Sequence, residues 1–412
     1  MITLPKEILR MIKVIEDAGF QAYVVGGSVR DALMGHKPED WDLACSAPME
    51  KILELFTEAI ILGKKYGVVQ IIMGEVIADV AAMRIDGSYT DHRRPDEVVF
   101  TEKIEKDLIR RDFTINGMAF HPKRGLIDPF SGLNDLKDRQ IQTIGDPEKR
   151  FSEDPLRILR GIRLSGQLDF DINKEVFLAI QKTVFLLNRI SMDRKLQEFE
   201  KLLKTKNAGK ALNLCASTGV MPNVLWNCFP PRERQEYGDF RILLNNINKS
   251  EKRIDLRMAL LLLCFEKQAA IKAIEDMNYS GIMAKKLKAA LNLMNDFELI
   301  EDKYNLKRFI YINGEDIYYF LNELSKQLRD VYDIPNSLIE IRYDMLVDIR
   351  KNKEPIYMNQ LAIKGQDLIE AGIAEGEQIG KLLTLLIDEV HKYPVLNSKS
   401  ELLKKAKELK KL

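Results

Sequence analysis

VVGGSVRDALMGHKPEDWDLACSA, residues 24–47, decides how the opening part of the chain is read. The apolar Val24-Val25 runs into Gly26-Gly27, and a helical pattern starts at Ser28. Glycines let a backbone approach a phosphate closely. Ser28 has the chemistry of a helix cap, and the first amides of a helix favour an anion. Arg30 adds a forked donor for phosphate oxygens. No GK[ST] follows, so this is not a Walker motif, and a glycine turn alone is also ordinary strand-to-helix punctuation. A short way on stands Asp40-Trp41-Asp42. Spaced two apart on a strand, both carboxylates point to one face. They repel unless a cation sits between them, and such hard oxygen ligands suit Mg²⁺. Asp79, in VIADVAAM, supplies a third acid on a neighbouring strand, and three carboxylates can hold two metals for an in-line displacement at phosphorus. An anion turn beside a cation pair is what a nucleoside triphosphate arriving as its Mg²⁺ complex requires.

The bulk composition narrows the classes. At 412 residues, with 46% hydrophobic and 30% charged residues, the chain is expected to form about two to four soluble globular domains. No apolar run reaches the roughly 18 residues of a membrane span. The first segment, MITLPKEILRMIKVIEDAGF, is amphipathic and carries acids rather than a signal-peptide core. The expectation is a cytoplasmic protein with no membrane partner, a monomer or weak dimer. The four cysteines form no CxxC pair and the four histidines no HExxH, which argues against a zinc ribbon, a disulfide framework or a zinc protease. A net charge of +1 gives no global basicity, so any polyanion must be met by local patches.

Along the chain the pattern changes once. FQAYVVGG, GVVQIIMG, EVIADVAAM and DEVVFT read as strands between charged turns. From about residue 146 onward, segments such as SEDPLRILRGIRLSGQL, SMDRKLQEFEKLLKT and IDLRMALLLLCFEKQAAIKAIEDM show helical periodicity. The chain therefore reads as α+β first and mostly α afterwards. The lysine-rich SELLKKAKELKKL at the end reads as a solvated surface helix, with an RNA phosphate contact as the other reading.

SEDPLRILRGIRL spaces Asp154, Arg157, Arg160 and Arg163 at successive i+3 steps, one stripe on a helix. Alone, such a stripe is a salt-bridged surface face. Downstream of a phosphate-and-metal window, a second reading wins. Aspartate accepts a hydrogen bond and arginine donates. Cytosine and adenine present an amino donor beside a ring-nitrogen acceptor, whereas guanine and uracil present a carbonyl beside an N–H. An Asp154–Arg157 pair thus matches C and A, and a mismatch leaves buried polar groups unpaired. In IRRDFTIN, Asp112 can accept a ribose 2′-OH, with Arg111 facing the triphosphate or sugar.

These segments together resemble the class II tRNA nucleotidyltransferases, the CCA-adding enzymes, and the related bacterial poly(A) polymerases. GGSVRDALMG…EDWDLACSA is similar to their first motif and DLIRRDFTINGMAF to the second. DPFSGLNDLKDRQIQTIGDPEKRFSEDPLRILRGIR resembles the next two in order, and ISMDRKLQEFEKLL the helical motif after them. The resemblance is strong over residues 20–205 and weak in LAIKGQDLIEAGIAEGEQIGKLL. Cys45 stands where threonine is usual, Asp79 where glutamate is, and Gly117 where alanine is; none removes a needed carboxylate.

The resemblance implies an α+β nucleotidyltransferase head with a mixed β-sheet (1–145), then an all-α neck with the base-reading helix (146–210), body (211–325) and tRNA-binding tail (326–412). It implies addition of CCA to tRNA 3′ ends from CTP and ATP. Asp40, Asp42 and Asp79 would be catalytic, with Mg²⁺ on Asp40 and Asp42. Gly26, Gly27, Ser28, Arg30, Arg111 and Asp112 would bind nucleotide. Asp154 and Arg157 would read the base, with Arg160 and Arg163 holding phosphates or orienting that pair. RIDGSYTDHRRPDEVVF, residues 84–100, reads as a mobile loop, and in the family CC-only enzymes are shortened there. The alternatives are an A-adding or CC-adding enzyme, a poly(A) polymerase, a small-molecule nucleotidyltransferase or an RNA-binding pseudoenzyme. The intact carboxylates disfavour the last, and the long helical remainder the one before it.

Overall fold

The structure, a computed structural model, describes residues 2–38, 40–63, 67–87, 97–225, 239–334 and 338–410. The chain divides into two compact units, Met1–Phe229 and Pro230–Leu412.

The first unit is built on a seven-stranded mixed sheet. In chain order its framework is α1 (Lys6–Asp17), β1 (Ala22–Val25), α2 (Gly27–Leu33), β2 (Trp41–Cys45), α3 (Met49–Leu55), β3 (Ile60–Gly63), β4 (Val68–Met73) and β5 (Val76–Ala82). A hairpin, β6 (Arg84–Asp86) with β7 (Val98–Phe100), follows, then α4 (Ile104–Leu108), β8 (Ala119–His121), β9 (Gly125–Ile127), α5 (Gly132–Lys137) and β10 (Gln140–Ile141). The large sheet has the order β3-β4-β5-β2-β1-β8-β9. Only β2 and β5 run parallel; the other neighbours are antiparallel. All four expected strand segments are strands. β3, β8 and β9 are too short or too mixed to announce themselves by period.

Alternation decides what each face carries. Trp41, Leu43 and Cys45 of β2 and Ala78 and Val80 of β5 bury into one core with Ile8, Met11, Ile12 and Ile15 of α1. Tyr23, Val25 and Ala44 face a second cluster with Ile104 and Leu108. Residues of opposite parity point to opposite faces. Asp42 and Asp79 therefore share the face opposite the larger core, and they are register partners across the parallel pair.

Helices then take over: α6 (Pro147–Glu153), α7 (Leu156–Leu168), α8 (Lys174–Thr183), α9 (Met192–Leu203), α10 (Ala208–Ser217) and α11 (Met221–Val224). One short strand, β11 (Asp171–Ile172), pairs with β10 inside this stretch expected to be all-α. SEDPLRILRGIRLSGQL is two helices rather than one. Asp146 caps α6 by accepting from Lys149 N, with Pro147 in its first turn. Asp154 ends it in an extended conformation (φ −142°, ψ 98°), because Pro155 disfavours helix in the residue before it. Gly161 lets α7 lie against Phe113: a Cβ there would come within 2.8 Å of the ring.

The second unit contains α12 (Phe240–Asn246), α13 (Ile254–Leu262), α14 (Lys267–Asp276), α15 (Gly281–Glu298), α16 (Lys303–Asn313), α17 (Glu315–Tyr332), α18 (Leu338–Lys351), α19 (Gly365–Glu370), α20 (Glu377–Lys392) and α21 (Lys399–Leu409). A body–tail division at 325/326 would cut α17. IDLRMALLLLCFEKQAAIKAIEDM splits into α13 and α14. The terminal lysine helix spends part of its charge internally, since Lys405 pairs with Glu389 at 2.9 Å and Lys399 pairs with Asp367. Among the described residues no helix is long and apolar enough to cross a membrane.

Candidate active site

The glycine turn, the carboxylate strand and the Arg110-Arg111-Asp112 segment converge. Gly26 takes φ +71° and ψ −141° immediately before α2. A Cβ on it would lie 2.9 Å from Arg111 Nη1 and 3.3 Å from Asp42 Oδ2. The positive φ favours glycine, and a Cβ would also press on the Arg111 guanidinium and crowd Asp42. Three segments far apart in sequence are therefore in van der Waals reach at one point.

Ser28 behaves differently from expectation. The helix begins at Gly27, and no side chain caps it. The buried Ser28 hydroxyl donates to Asp40 O (3.1 Å) and accepts from Asp42 N (2.9 Å). Ser28 thus staples α2 to the strand and sets the backbone of both acids. Arg30 is likewise committed: Nε donates to Asp31 Oδ1 at 2.8 Å and Nη1 to Asn116 Oδ1 at 2.7 Å. It ties the glycine turn to the segment after Asp112.

Asp40 is exposed just before β2, whereas Asp42 and Asp79 are half-buried. Gln70 of β4, opposite Asp79, donates to Asp79 Oδ1 at 3.0 Å. Burial pushes the Asp42 carboxyl above its ordinary value; Arg111 pulls it down, while Asp79 and Asp40 push it up again. Asp42, half-buried with two further acids beside it, would gain from an added positive charge. Among the described residues no three His, Cys, Asp or Glu side chains converge into a closed metal cage. The fit to Mg²⁺ therefore rests on this charge deficit and on the donor chemistry, with substrate oxygens completing the shell. Cys45 is buried, its thiol pushed up to about 12 by burial, which makes it an inert filler at the end of the strand.

Arg111 is held by Asp107, with Nη2 3.3 Å from Oδ2. Asp112 Oδ1 accepts from Phe113 N at 2.9 Å. Its Oδ2 lies 2.8 Å from Arg160 Nη2, an ion contact without hydrogen-bond alignment. Burial opposes the Asp112 charge, but Arg160 and Arg157 outweigh it, and the carboxyl sits below its ordinary value.

The expected stripe is rearranged. Asp154 lies off the helix, at the break between α6 and α7, so only Arg157, Arg160 and Arg163 lie along α7. Arg157 gives Nη1 to Glu153 Oε2 (2.7 Å) and to Arg150 O (3.0 Å). Asp154 accepts from Leu156 N at 3.2 Å and faces Arg194 at 3.6 Å. Burial raises its carboxyl, with Arg194 ahead of Arg157 in opposing the shift. Arg163 donates to Glu198 Oε2 (2.9 Å) and Gln167 Oε1 (3.0 Å), joining α7 to α9 rather than meeting the nucleotide groups. Arg150 donates through Nη2 to the carbonyls of Arg110 and Arg111 and buckles α6 onto the Arg110–Asp112 segment.

Sequence reasoning missed Gln70, Asn116, Asp107, Arg150, Glu153, Arg194 and Glu198. Gln70 left a signal, a lone polar residue in VVQIIM. Asn116 was visible only as the end of RRDFTIN. Asp107 and Glu153 stand four residues before Arg111 and Arg157, a spacing that could have found them; Arg150, Arg194 and Glu198 serve groups on other segments, and such pairing leaves no trace in spacing. The 84–100 loop is carried on the β6–β7 hairpin, where Gly87 N donates to Glu97 O at 2.9 Å; its tip, residues 88–96, lies outside the described residues.

A mixed sheet bearing acids on adjacent strands beside a glycine turn defines a nucleotidyltransferase head. Residues 22–142 match the family described as Poly A polymerase head domain. Residues 169–227 match the family described as Probable RNA and SrmB-binding site of polymerase A. The CCA-adding enzyme of Ligilactobacillus salivarius is 31% identical, covering 98% of this chain and 96% of that protein. That of Bacillus licheniformis is 43% identical over 52% of this chain and 53% of its own length. The crystal structure of the Bacillus stearothermophilus CCA-adding enzyme in complex with CTP superposes with a TM-score of 0.78 at 26% identity, covering 99% of this chain and 98% of that one. The chain belongs to the CCA-adding enzyme family.

Proposed function

We propose that this protein adds C, C and A to the 3′ end of tRNA from CTP and ATP without a nucleic-acid template. The observation that carries the reading is the convergence at Gly26: acids short of positive charge on one side, the Arg111 guanidinium on the other. Arg111 steadies the triphosphate. Asp112 accepts the ribose 2′-OH with lone pairs that Arg160 leaves unaligned. Asp154 accepts from the amino group of C or A and Arg157 donates to the ring nitrogen; both must loosen from Arg194 and Glu153 to do so. Asp40 and Asp42, with Asp79 beside them, would hold Mg²⁺, which when bound supplies positive charge to the phosphate oxygens and the attacking hydroxyl. The RNA 3′-oxygen forms the new bond to the α-phosphorus, the bond to pyrophosphate breaks, and the hydroxyl proton leaves to solvent. Residues 1–145 would act as catalytic head and 146–210 as base-reading neck, with body and tail holding tRNA by shape and backbone. Asp42 and Asp79 stand on neighbouring strands of one chain and Asp40 directly before the first of them, so one copy contains the whole carboxylate row.

The test is end-sequencing of a tRNA transcript lacking CCA after incubation with CTP alone, ATP alone, or both. The expected products are CC with CTP alone and CCA with both. A stop at CC in the presence of ATP would make it a CC-adding enzyme, growth only from a CC end an A-adding one, and a long A tail on generic RNA a poly(A) polymerase.

A further inference from the structure

The carboxylate pair opens onto a cavity of about 560 Å³ that excludes the base- and ribose-reading groups. Its lining combines Asp40 and Asp42 with Lys37, Arg139, Asp169 and Lys206. Asp112, Asp154, Arg157 and Arg160 do not line it.

The acids of this cavity outside the catalytic pair are already neutralised, and several of its cations are not. Asp31 is held by Arg30 at 2.7 Å. Asp169 accepts from Asn207 Nδ2 at 3.0 Å and faces Arg139 Nη2 at 3.2 Å. Lys37 and Lys206 are exposed and have no ion-pair partner among the described residues. Arg139 sits at φ +56° with Nη2 donating to Asp169 O at 3.0 Å and its guanidinium 5.7 Å from the Phe170 ring. Lys206 is presented by a turn locked to α7: Asn207 N donates to Gly166 O at 3.0 Å, and a Cβ on Gly166 would meet Thr205 Oγ1 at 2.8 Å.

In-line displacement requires the attacking hydroxyl to enter opposite the leaving pyrophosphate. The triphosphate side is taken by Gly26 and Arg111. We infer that this cavity holds the single-stranded 3′ end of the RNA primer, with Lys37, Arg139 and Lys206 gripping its last phosphodiesters and presenting the terminal hydroxyl to Asp40 and Asp42. These are positioning residues, and the inference rests on the nucleotide-addition reading above.

The test uses an acceptor-stem minihelix with an unpaired 3′ strand, so that contacts by the helical remainder weigh less. In Lys37→Ala/Lys206→Ala, kcat/KM for this RNA should fall roughly ten-fold or more, with KM for CTP unchanged. Lys37→Arg/Lys206→Arg should restore it. Equilibrium binding without CTP should lose salt dependence by about 1.4 in the slope of log affinity against log salt, for two single-strand contacts. A methylphosphonate at the last linkage should weaken the wild type clearly more than the double alanine variant, which keeps only Arg139 of the three cations. A raised KM for CTP with normal RNA binding would assign the cavity to the triphosphate and overturn the inference. An equal methylphosphonate penalty in both proteins would overturn it too. Because RNA binding is read without turnover, these outcomes stand even if the enzyme proves to add a different sequence.

Discussion

The carboxylate row on β2 and β5 and the charged ladder through α6, α7 and α9 use similar residues and settle their charges in opposite ways. On the strands, Asp42 faces Asp79 and Asp40, with Arg111 and Arg30 too few to offset burial. On the helices, Glu153 has Arg157, Asp112 has Arg160, Glu198 has Arg163 and Asp154 has Arg194. The first region is unfinished without a cation. The second pairs its charges, although Asp112 Oδ2 keeps an unaligned lone pair and burial still raises the Asp154 carboxyl, so a nucleotide reaching Asp154 and Arg157 must replace Arg194 and Glu153. On the proposed reading, a site that takes a metal keeps a deficit, whereas a site that discriminates bases starts from paired side chains and gives them up only to a ligand with matching groups.

The sharpest break of this contrast comes from the row. Asp42→Ala should lower nucleotide addition by about 1,000-fold or more, or ~4 kcal/mol of transition-state stabilisation, with tRNA affinity little changed by filter binding. Near-normal turnover would remove Asp42 from the metal site. In the ladder, Asp154→Ala should reduce C and A incorporation by roughly 10–100-fold and narrow the preference over U and G. Competition assays with all four nucleotides read this directly, and unchanged ratios would leave Asp154 as a salt-bridge partner of Arg194.

Stability against pH sets the two regions against each other. The Asp42 carboxyl is raised, so its ionisation costs stability as pH climbs from the ordinary carboxylate range through the raised value. Asp42→Asn should therefore raise Tm by a few degrees at neutral pH and lose the gain near pH 4. Mg²⁺ should raise Tm of the wild type and not of this variant. Asp112 is lowered, so its contribution is present above the ordinary value and lost as pH falls through the lowered one. Asp112→Asn should lose about 2 kcal/mol at neutral pH, discounted because the Arg160 side chain is 41% exposed. Equal signs at the two positions would end the contrast. The smallest effect is expected at Arg163→Met: about 1 kcal/mol of stability from the loss of Glu198, with selectivity unchanged. A change in base preference there would return Arg163 to the reading site.

The sheet and the carboxylate row were legible because both follow from period-two alternation: Trp41, Leu43 and Cys45 inward leave Asp42 outward, and Ala78 and Val80 do the same for Asp79. The ladder was legible only in its residue types. Pro155 was in plain view and predicts the break before α7, yet the i+3 spacing of Asp154 to Arg163 read as one stripe across it. Ser28 has the composition of a cap but works as a staple, since what it bonds lies on a strand formed later in the chain. Pairings between segments, such as Asp154 at the α6–α7 break with Arg194 of α9, depend on how these elements stack, and no local pattern records that.

Arg150, bonded to the carbonyls of Arg110 and Arg111 while its own carbonyl accepts from Arg157, makes the proposed sugar reader and the proposed base reader parts of one chassis. Errors in this enzyme should then come correlated. A substitution that lets deoxyribose in by shifting the 110–112 backbone will also blur C and A against U and G, and a mutant library sorted for sugar tolerance will be enriched, unasked, for miscoded ends.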